Sequence, residues 1–101
     1  MENISVQELK QRKDASETLY ILDVREPHEY AEVNMGALLI PLGQVAQGQI
    51  DAIEDWKDKE VIVHCRSGVR SATACMVLEQ LGFTNTKNLA GGILAWEALK
   101  A

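Results

Sequence analysis

Hydrophobic residues fall in short runs that alternate along the chain with segments of helical pattern. The clearest runs are 19–24, apolar nearly throughout, and 61–64, which opens with three consecutive β-branched residues. Continuous runs of this kind are typical of strands buried on both faces of a sheet. Shorter strand candidates lie at Ile4, at 37–40 before a proline, and at 86–89. The pattern therefore predicts a sheet of about five strands.

The segments between these runs carry the signals of helix ends. Ser5 and Glu8 form a capping-box pattern, and Pro27 suits the first turn of a helix. Gly82 follows a long helical segment and is typical of the residue that ends one. We predict helices over residues 5–13, 28–32, 49–56, 70–81 and 93–99.

Strands that alternate with helices imply right-handed crossovers and a mainly parallel sheet with helices on both faces. The chain of 101 residues is 47% hydrophobic and 25% charged, which is typical of one ordinary globular domain. We therefore predict an α/β fold with a single domain over 1–101. Ligands of such sheets bind beyond the carboxyl ends of the strands, so 23–25 and Cys65 should emerge at the same edge.

The segment after the central apolar run carries the clearest chemistry. Cys65 is followed by a compact polar loop that leads into the predicted long helix. Backbone N–H groups of such a loop point at its centre, and Arg66 and Arg70 add positive charge. Gly68 lets the loop close without a Cβ in the way. We therefore expect the pKa of Cys65 to lie below the free value of about 8.5.

The remaining metal-ligating and nucleophilic residue types suggest structural roles. Cys75 lies too far along the predicted helix to form a disulfide with Cys65, and is predicted to be a small buried apolar residue. His64 belongs to the strand and is predicted to be a packed histidine. The cysteines and histidines show no zinc-site spacing, so we expect no metal.

Three segments resemble the rhodanese family of sulfurtransferases. Residues 65–70, Cys-Arg-Ser-Gly-Val-Arg, resemble its active-site loop, in which the cysteine carries a persulfide. Residues 22–30, continuing to 36–37 and 40–42, resemble the first signature, and 91–96 resemble the signature near the C-terminus. The three matches keep the family's order and cover most of the chain.

The resemblance implies a rhodanese-like domain that needs no metal or organic cofactor. It implies transfer of a sulfane sulfur from thiosulfate or a persulfide donor, through a Cys65 persulfide, to a thiol or cyanide. A protein persulfide could also be the partner. The family usually has Gly-His-Ile where 33–35 read Val-Asn-Met, a departure that concerns local packing. The implied substrate-binding residues are Arg66, Ser67, Gly68, Val69, Arg70 and Ser71.

Several of these side chains keep two interpretations. The spacing of Arg70 from Cys65 favours a clamp on an anionic group, whereas Arg66 can point toward the substrate or away from it. Ser67 and Ser71 could hydrogen-bond to the persulfide or cap the helix, and capping is the favoured role. Asp23 and Arg25 could line the site edge, but a scaffold role is favoured.

Two other classes of function remain open. Cysteine phosphatases and arsenate reductases use a similar loop, but the phosphatases place one more residue between the cysteine and the arginine than the four found here. A shorter loop suits a single sulfur atom better than a phosphoryl group. A regulatory module or a sulfur relay without efficient turnover is the second alternative, although inactive relatives typically lack the cysteine.

The net charge of −5 argues against nucleic acid or an anionic membrane as a partner. Every apolar run is shorter than the roughly 20 residues of a membrane span, and residues 1–5 lack the pattern of a signal peptide. We therefore expect a cytoplasmic protein.

Overall fold

The computed structural model describes residues 1–100, and Ala101, the last residue of the predicted domain, lies outside the described residues. In this described part of the chain, five parallel strands form one sheet in the order β1-β5-β4-β2-β3. The α/β class and the parallel sheet are therefore confirmed, whereas the single domain over 1–101 stays a prediction. The strands are β1 Glu2–Ile4, β2 Tyr20–Asp23, β3 Leu38–Leu39, β4 Glu60–His64 and β5 Asn85–Leu89.

Among residues 1–100, five α-helices connect or follow these strands. The Ser5 hydroxyl accepts the Glu8 N–H at 3.1 Å, so the predicted N-terminal cap of the first helix is confirmed. The helix that follows the candidate loop ends just before Gly82, as predicted. The helices are α1 Val6–Asp14, α2 Pro27–Glu32, α3 Leu42–Ala46, α4 Val69–Gln80 and α5 Gly92–Lys100.

The sheet separates two apolar clusters. On β4, Val61 and Val63 face the cluster that includes α3 and α4, whereas Ile62 faces the cluster that includes α1 and α5. All three side chains are fully buried, which explains why the β4 run is apolar at every position. Burying each one stabilises the fold by about 1.5–3 kcal/mol. Strand β4 is thereby fixed on both faces immediately before the candidate loop.

The structure corrects the sequence-based prediction between β3 and β4. The helix predicted over 49–56 is a 3-10 helix, Asp51–Trp56, whose backbone departs from helical geometry at Ile53. Helix α3 was not predicted, because five residues that include Gly43 are too short to show a helical period. Both segments cover the same face of the sheet as α4.

Strands β2 and β4 end at the same edge of the sheet. They pair in parallel with Asp23 beside His64, so Cys65 leaves the sheet next to the chain that leads to Arg25. This is the juxtaposition expected from the parallel topology. Within residues 1–100, none of the helices combines the length and the apolar character that crossing a membrane requires.

Candidate active site

The Cys65 sulfur lies at the base of the loop between β4 and α4, in a residue that is only 1% exposed. The Gly68 N–H donates to Sγ at 3.2 Å and the Ser71 N–H donates at 3.3 Å. The Ser71 hydroxyl oxygen lies 3.3 Å from the same sulfur. Three polar groups, one from the loop and two from Ser71 in the first turn of the following helix, therefore converge on one atom.

These contacts set the ionisation of the sulfur. Burial raises the pKa of Cys65, but hydrogen bonds from Ser71, through its side chain and its N–H, lower it. Backbone N–H groups of Gly68 and Ser67 lower it further, and the net result is a pKa below the ordinary value. The predicted direction is confirmed. The largest lowering contributions come from hydrogen bonds to the sulfur and not from the charges of the two arginines.

The N-terminus of α5 gives the loop its shape from behind. The Ile93 N–H donates to the Cys65 carbonyl at 2.9 Å, and the Leu94 N–H donates to the Arg66 carbonyl at 3.1 Å. The first N–H groups of a helix have no partner within the helix, so they are free to make these bonds. In a trans peptide the N–H points opposite the carbonyl, so turning both carbonyls toward α5 turns the following N–H groups away from it.

Gly92 makes this close approach possible. A Cβ at this position would lie 2.5 Å from the Arg66 carbonyl oxygen and 2.6 Å from the Cys65 carbonyl oxygen. The backbone of Gly92 also has φ +58°, which disfavours other residues. The glycine in the C-terminal signature therefore lies behind the loop and allows α5 to contact its backbone.

Asn88 on β5 supports the loop from the side, and sequence reasoning missed it. Its Nδ2 donates to the Gly68 carbonyl at 3.1 Å, and its Oδ1 accepts the Ser71 hydroxyl at 2.5 Å. A hydroxyl has one hydrogen, which Ser71 shares between Asn88 and the sulfur, so the backbone N–H groups are the constant donors to the sulfur. Asn88 is buried in the structure, but the local sequence carries no signal for this role.

The favoured capping role of the two serines is wrong. Gly68 occupies the N-cap position of helix α4, and it has no side chain that could hydrogen-bond to the helix. Ser71 lies within the first turn and contacts Cys65 and Asn88, whereas Ser67 is exposed. Backbone N–H groups that donate to the Cys65 sulfur therefore hold this turn, and a serine side-chain cap does not.

Asp23 and Arg25 form a buried ion pair beside the loop. The guanidinium donates to the carboxylate at 2.8–3.1 Å, and the Arg25 N–H donates to the same carboxylate at 2.9 Å. Arg25 also donates to the Val33 carbonyl at 2.8 Å, which ties the segment after α2 to the sheet edge. The geometry agrees with the scaffold role, because the two residues are 0% and 2% exposed.

His64 lies behind Cys65 and is fully buried, as predicted. Its Nδ1 is 3.3 Å from the Cys65 carbonyl oxygen, and its Nε2 is 3.5 Å from Asp23 Oδ2. Burial lowers the pKa of His64 despite the nearby carboxylate. The imidazole is therefore a neutral packed group at physiological pH.

The two arginines of the loop have different surroundings. Arg70 donates from both terminal nitrogens to the Glu29 carboxylate, at 2.7 and 2.9 Å. Arg66 is exposed, and the ion pairs that the structure describes within residues 1–100 do not include it. The clamp role of Arg70 stays a prediction, and its guanidinium is already paired with a carboxylate. Glu29 was not identified from the sequence.

The family model of the rhodanese-like domain matches residues 5–99. The chain belongs to the rhodanese-like domain family.

Relatives and solved structures agree with this assignment. YtwF from Bacillus subtilis is 40% identical over 98 residues, which cover 96% of this chain and 91% of the relative. A sulfurtransferase from Allochromatium vinosum is 38% identical over 94 residues, covering 92% of this chain and 85% of the relative. The crystal structure of a rhodanese-like domain protein from Staphylococcus aureus matches with a TM-score of 0.83 at 32% identity, covering 95% and 91% of the two chains. These similarities support a transferase.

The rhodanese-like domain accommodates its departure from the family pattern through local hydrogen bonds. Asn34, which stands where the family usually has histidine, donates from Nδ2 to the Tyr30 carbonyl at 3.0 Å. Its Oδ1 accepts the Gly36 N–H at 2.9 Å. Met35 packs against the cluster on the α1 and α5 face. The segment is therefore locally packed without the histidine.

Proposed function

We propose that this rhodanese-like domain is a sulfurtransferase that carries a sulfane sulfur on Cys65. The sulfur comes from thiosulfate or a persulfide donor and passes to a thiol or cyanide. The observation that carries the proposal is the convergence of backbone N–H groups on the Cys65 sulfur, at 3.2 and 3.3 Å, with a lowered pKa. A thiolate is the nucleophilic form of cysteine, and this site favours it.

The transfer takes place in two balanced displacements. In the first, the Cys65 thiolate attacks the outer sulfur of thiosulfate, a new S–S bond forms, and sulfite leaves with the electron pair of the broken S–S bond. In the second, an acceptor thiolate attacks the outer sulfur of the Cys65 persulfide, and Cys65 leaves as a thiolate. The covalent intermediate divides one difficult transfer into two easier steps.

The loop supplies electrostatic stabilisation to both steps. Its N–H groups donate to the anionic sulfur, as oxyanion-hole donors do to an anionic oxygen. In this proposal residues 66–71 form the donor-binding loop, while Asp23 and Arg25 hold its surroundings. The loop N–H groups are directed at a single sulfur atom, which also favours sulfur transfer over phosphoryl transfer.

The test is an intact mass measured after incubation of the reduced protein with thiosulfate. We expect a gain of about 32 Da, the mass of one sulfur, which cyanide removes and which a Cys65→Ala variant does not acquire. A Cys75→Ala variant is the matched control and should gain the same mass. Absence of the adduct with thiosulfate and with a persulfide donor, while Cys65 is reduced, would overturn the proposal. Turnover of an aryl phosphate that depends on Cys65 would favour a phosphatase function over the proposed sulfurtransferase function.

A further inference from the structure

Glu29 binds Arg70 at the mouth of the candidate active site. Glu29 lies in the first turn of α2, and its Oε1 also accepts the Glu26 N–H at 2.9 Å. Arg70 lies in the first turn of α4 and reaches both carboxylate oxygens, at 2.7 and 2.9 Å. The two side chains are 19% and 34% exposed. The pair is therefore bidentate, partly shielded from water and fixed at the Glu29 end by the backbone of α2.

The pair stays ionised across the pH range of sulfur chemistry. The Arg70 guanidinium lowers the pKa of Glu29 to about 2, and the carboxylate in turn raises the pKa of Arg70. The charge of the Cys65 sulfur also raises the pKa of Arg70, so the pair lies within electrostatic range of the reacting sulfur. Because the two charges cancel, Arg70 contributes little net attraction to an anion.

The other charged groups near this pair do not restore a strong anion site. Arg25 is buried and paired with Asp23, and Glu26 adds a further negative charge at the start of α2. Arg66 is the exposed cation of the loop. The mouth therefore combines one exposed guanidinium with the Glu29 carboxylate, which Arg70 holds beside the first turn of α4.

We propose that Glu29 determines the charge of the sulfur donor that this site prefers, by discriminating against dianionic donors in favour of donors with one negative charge. The inference rests on the proposed function and names its substrate class: organic persulfides and thiosulfonates are preferred over thiosulfate. The Glu29 carboxylate repels a dianion about twice as strongly as it repels a monoanion at the same position.

Two donors of similar size isolate the effect of charge. Thiosulfate carries two negative charges, and its reaction with the Cys65 thiolate yields the Cys65 persulfide and sulfite. In methanethiosulfonate a methyl group replaces one charged oxygen, and the same displacement yields the same persulfide and methanesulfinate. The same S–S bond forms and an equivalent bond breaks in both reactions. The leaving groups differ in the same way for every variant, so a change in the donor ratio between variants reports the charge of the donor.

The decisive variant is Glu29→Gln, because glutamine keeps an amide oxygen that can accept the Glu26 N–H and an Arg70 N–H. We expect kcat/KM for thiosulfate to rise about fivefold relative to kcat/KM for methanethiosulfonate, which is the size of one charge interaction in a partly solvated site. The gain should shrink as salt is added, because salt screens exposed charges. The matched control is Glu32→Gln on the same helix, which removes an equal charge from an exposed side chain and should leave the donor ratio unchanged.

A second measurement tests the same inference without sulfur transfer. Iodoacetate and iodoacetamide alkylate a thiolate in the same way but differ by one negative charge. Glu29→Gln should raise the rate of Cys65 labelling by iodoacetate relative to the rate by iodoacetamide, measured by peptide mass. Glu32→Gln should leave this ratio unchanged.

Two results would overturn the inference. One is an unchanged ratio in both the alkylation assay and the donor assay. The other is a selective loss of thiosulfate activity in Glu29→Gln, which would mean that Glu29 orients Arg70 for the dianion. If neither donor loads Cys65 in any variant, the proposed function fails, and the alkylation ratio still decides the role of Glu29.

Discussion

The two cysteines lie in the same apolar cluster and are almost equally buried, at 1% and 0% exposure, yet their acidities differ. Burial raises the pKa of Cys75 to about 11, whereas the pKa of Cys65 falls below the ordinary value although burial also opposes its ionisation. Cys75 lies inside α4, where the N–H groups bond to carbonyls of the preceding turn. Cys65 lies just outside α4 and faces N–H groups that have no helical partner. Burial alone therefore does not decide the reactivity of a cysteine in this fold, and its place relative to the helix N-terminus does.

The largest expected effect is a difference in labelling between the two thiols. At pH 7 a thiol with a pKa near 11 is roughly one part in ten thousand thiolate, so we expect iodoacetamide to label Cys65 at least about a hundredfold faster than Cys75. The measurement is peptide mass after timed reactions quenched with excess thiol. Single variants Cys65→Ala and Cys75→Ala assign each rate to its residue. Comparable labelling of the two residues in the folded protein would contradict the comparison.

A smaller effect is expected when α5 is pushed away from the loop. In Gly92→Ala the new Cβ collides with the carbonyl oxygens of Cys65 and Arg66, so the loop backbone must shift and its N–H groups lose their aim at the sulfur. We expect Cys65 labelling to fall about tenfold and the free energy of unfolding to fall by about 2 kcal/mol, measured by urea denaturation.

Gly36→Ala separates the clash from the backbone strain. Gly36 also has a positive φ, +82°, but a Cβ there would meet nothing within 4 Å. This control should lose about 1 kcal/mol of stability and keep the Cys65 labelling rate. Equal labelling rates in the two alanine variants would show that α5 does not shape the loop.

Much of the fold was predictable because burial leaves a direct trace in the sequence. The apolar run of β4 reflects a central strand covered on both faces, and the predicted parallel topology brought Cys65 and Asp23 to the same sheet edge. Helix α3 and the 3-10 helix were not predictable, because short segments fixed by tertiary packing carry no clear period. Periodicity therefore indicated the central elements better than the short connections.

The candidate site divides along a similar line. Cys65 and its loop are contiguous, so their chemistry could be inferred from neighbouring residues. Asn88 and Glu29 come from other elements, and their contacts with Ser71 and Arg70 span 17 and 41 positions in the sequence. Contacts of this kind arise from the folded arrangement of β5 and α2 and leave no local pattern in the sequence.

The smallest expected effect concerns the Ser71 hydroxyl. Ser71→Ala removes the oxygen that lies 3.3 Å from the Cys65 sulfur but keeps the backbone N–H that donates to it. The hydroxyl also bonds Asn88, which holds the Gly68 carbonyl, so its loss loosens the loop as well. We expect the pKa of Cys65 to rise by about half a unit, which is less than the loss of a full donor to a charged group would cause.

The pH dependence of labelling distinguishes this effect from simple damage to the fold. Below the pKa of Cys65 the thiolate fraction falls about threefold for a half-unit rise in pKa, so Ser71→Ala should slow labelling by iodoacetamide about threefold on the acid side of the measured profile. Above the pKa both proteins are fully thiolate and their rates should converge. Ser67→Ala, which changes an exposed serine in the same loop, should match the parent protein at every pH. A uniform loss at all pH values would mean that Ser71 only holds the loop in place, and an unchanged profile would mean that the backbone N–H groups alone set the acidity of Cys65.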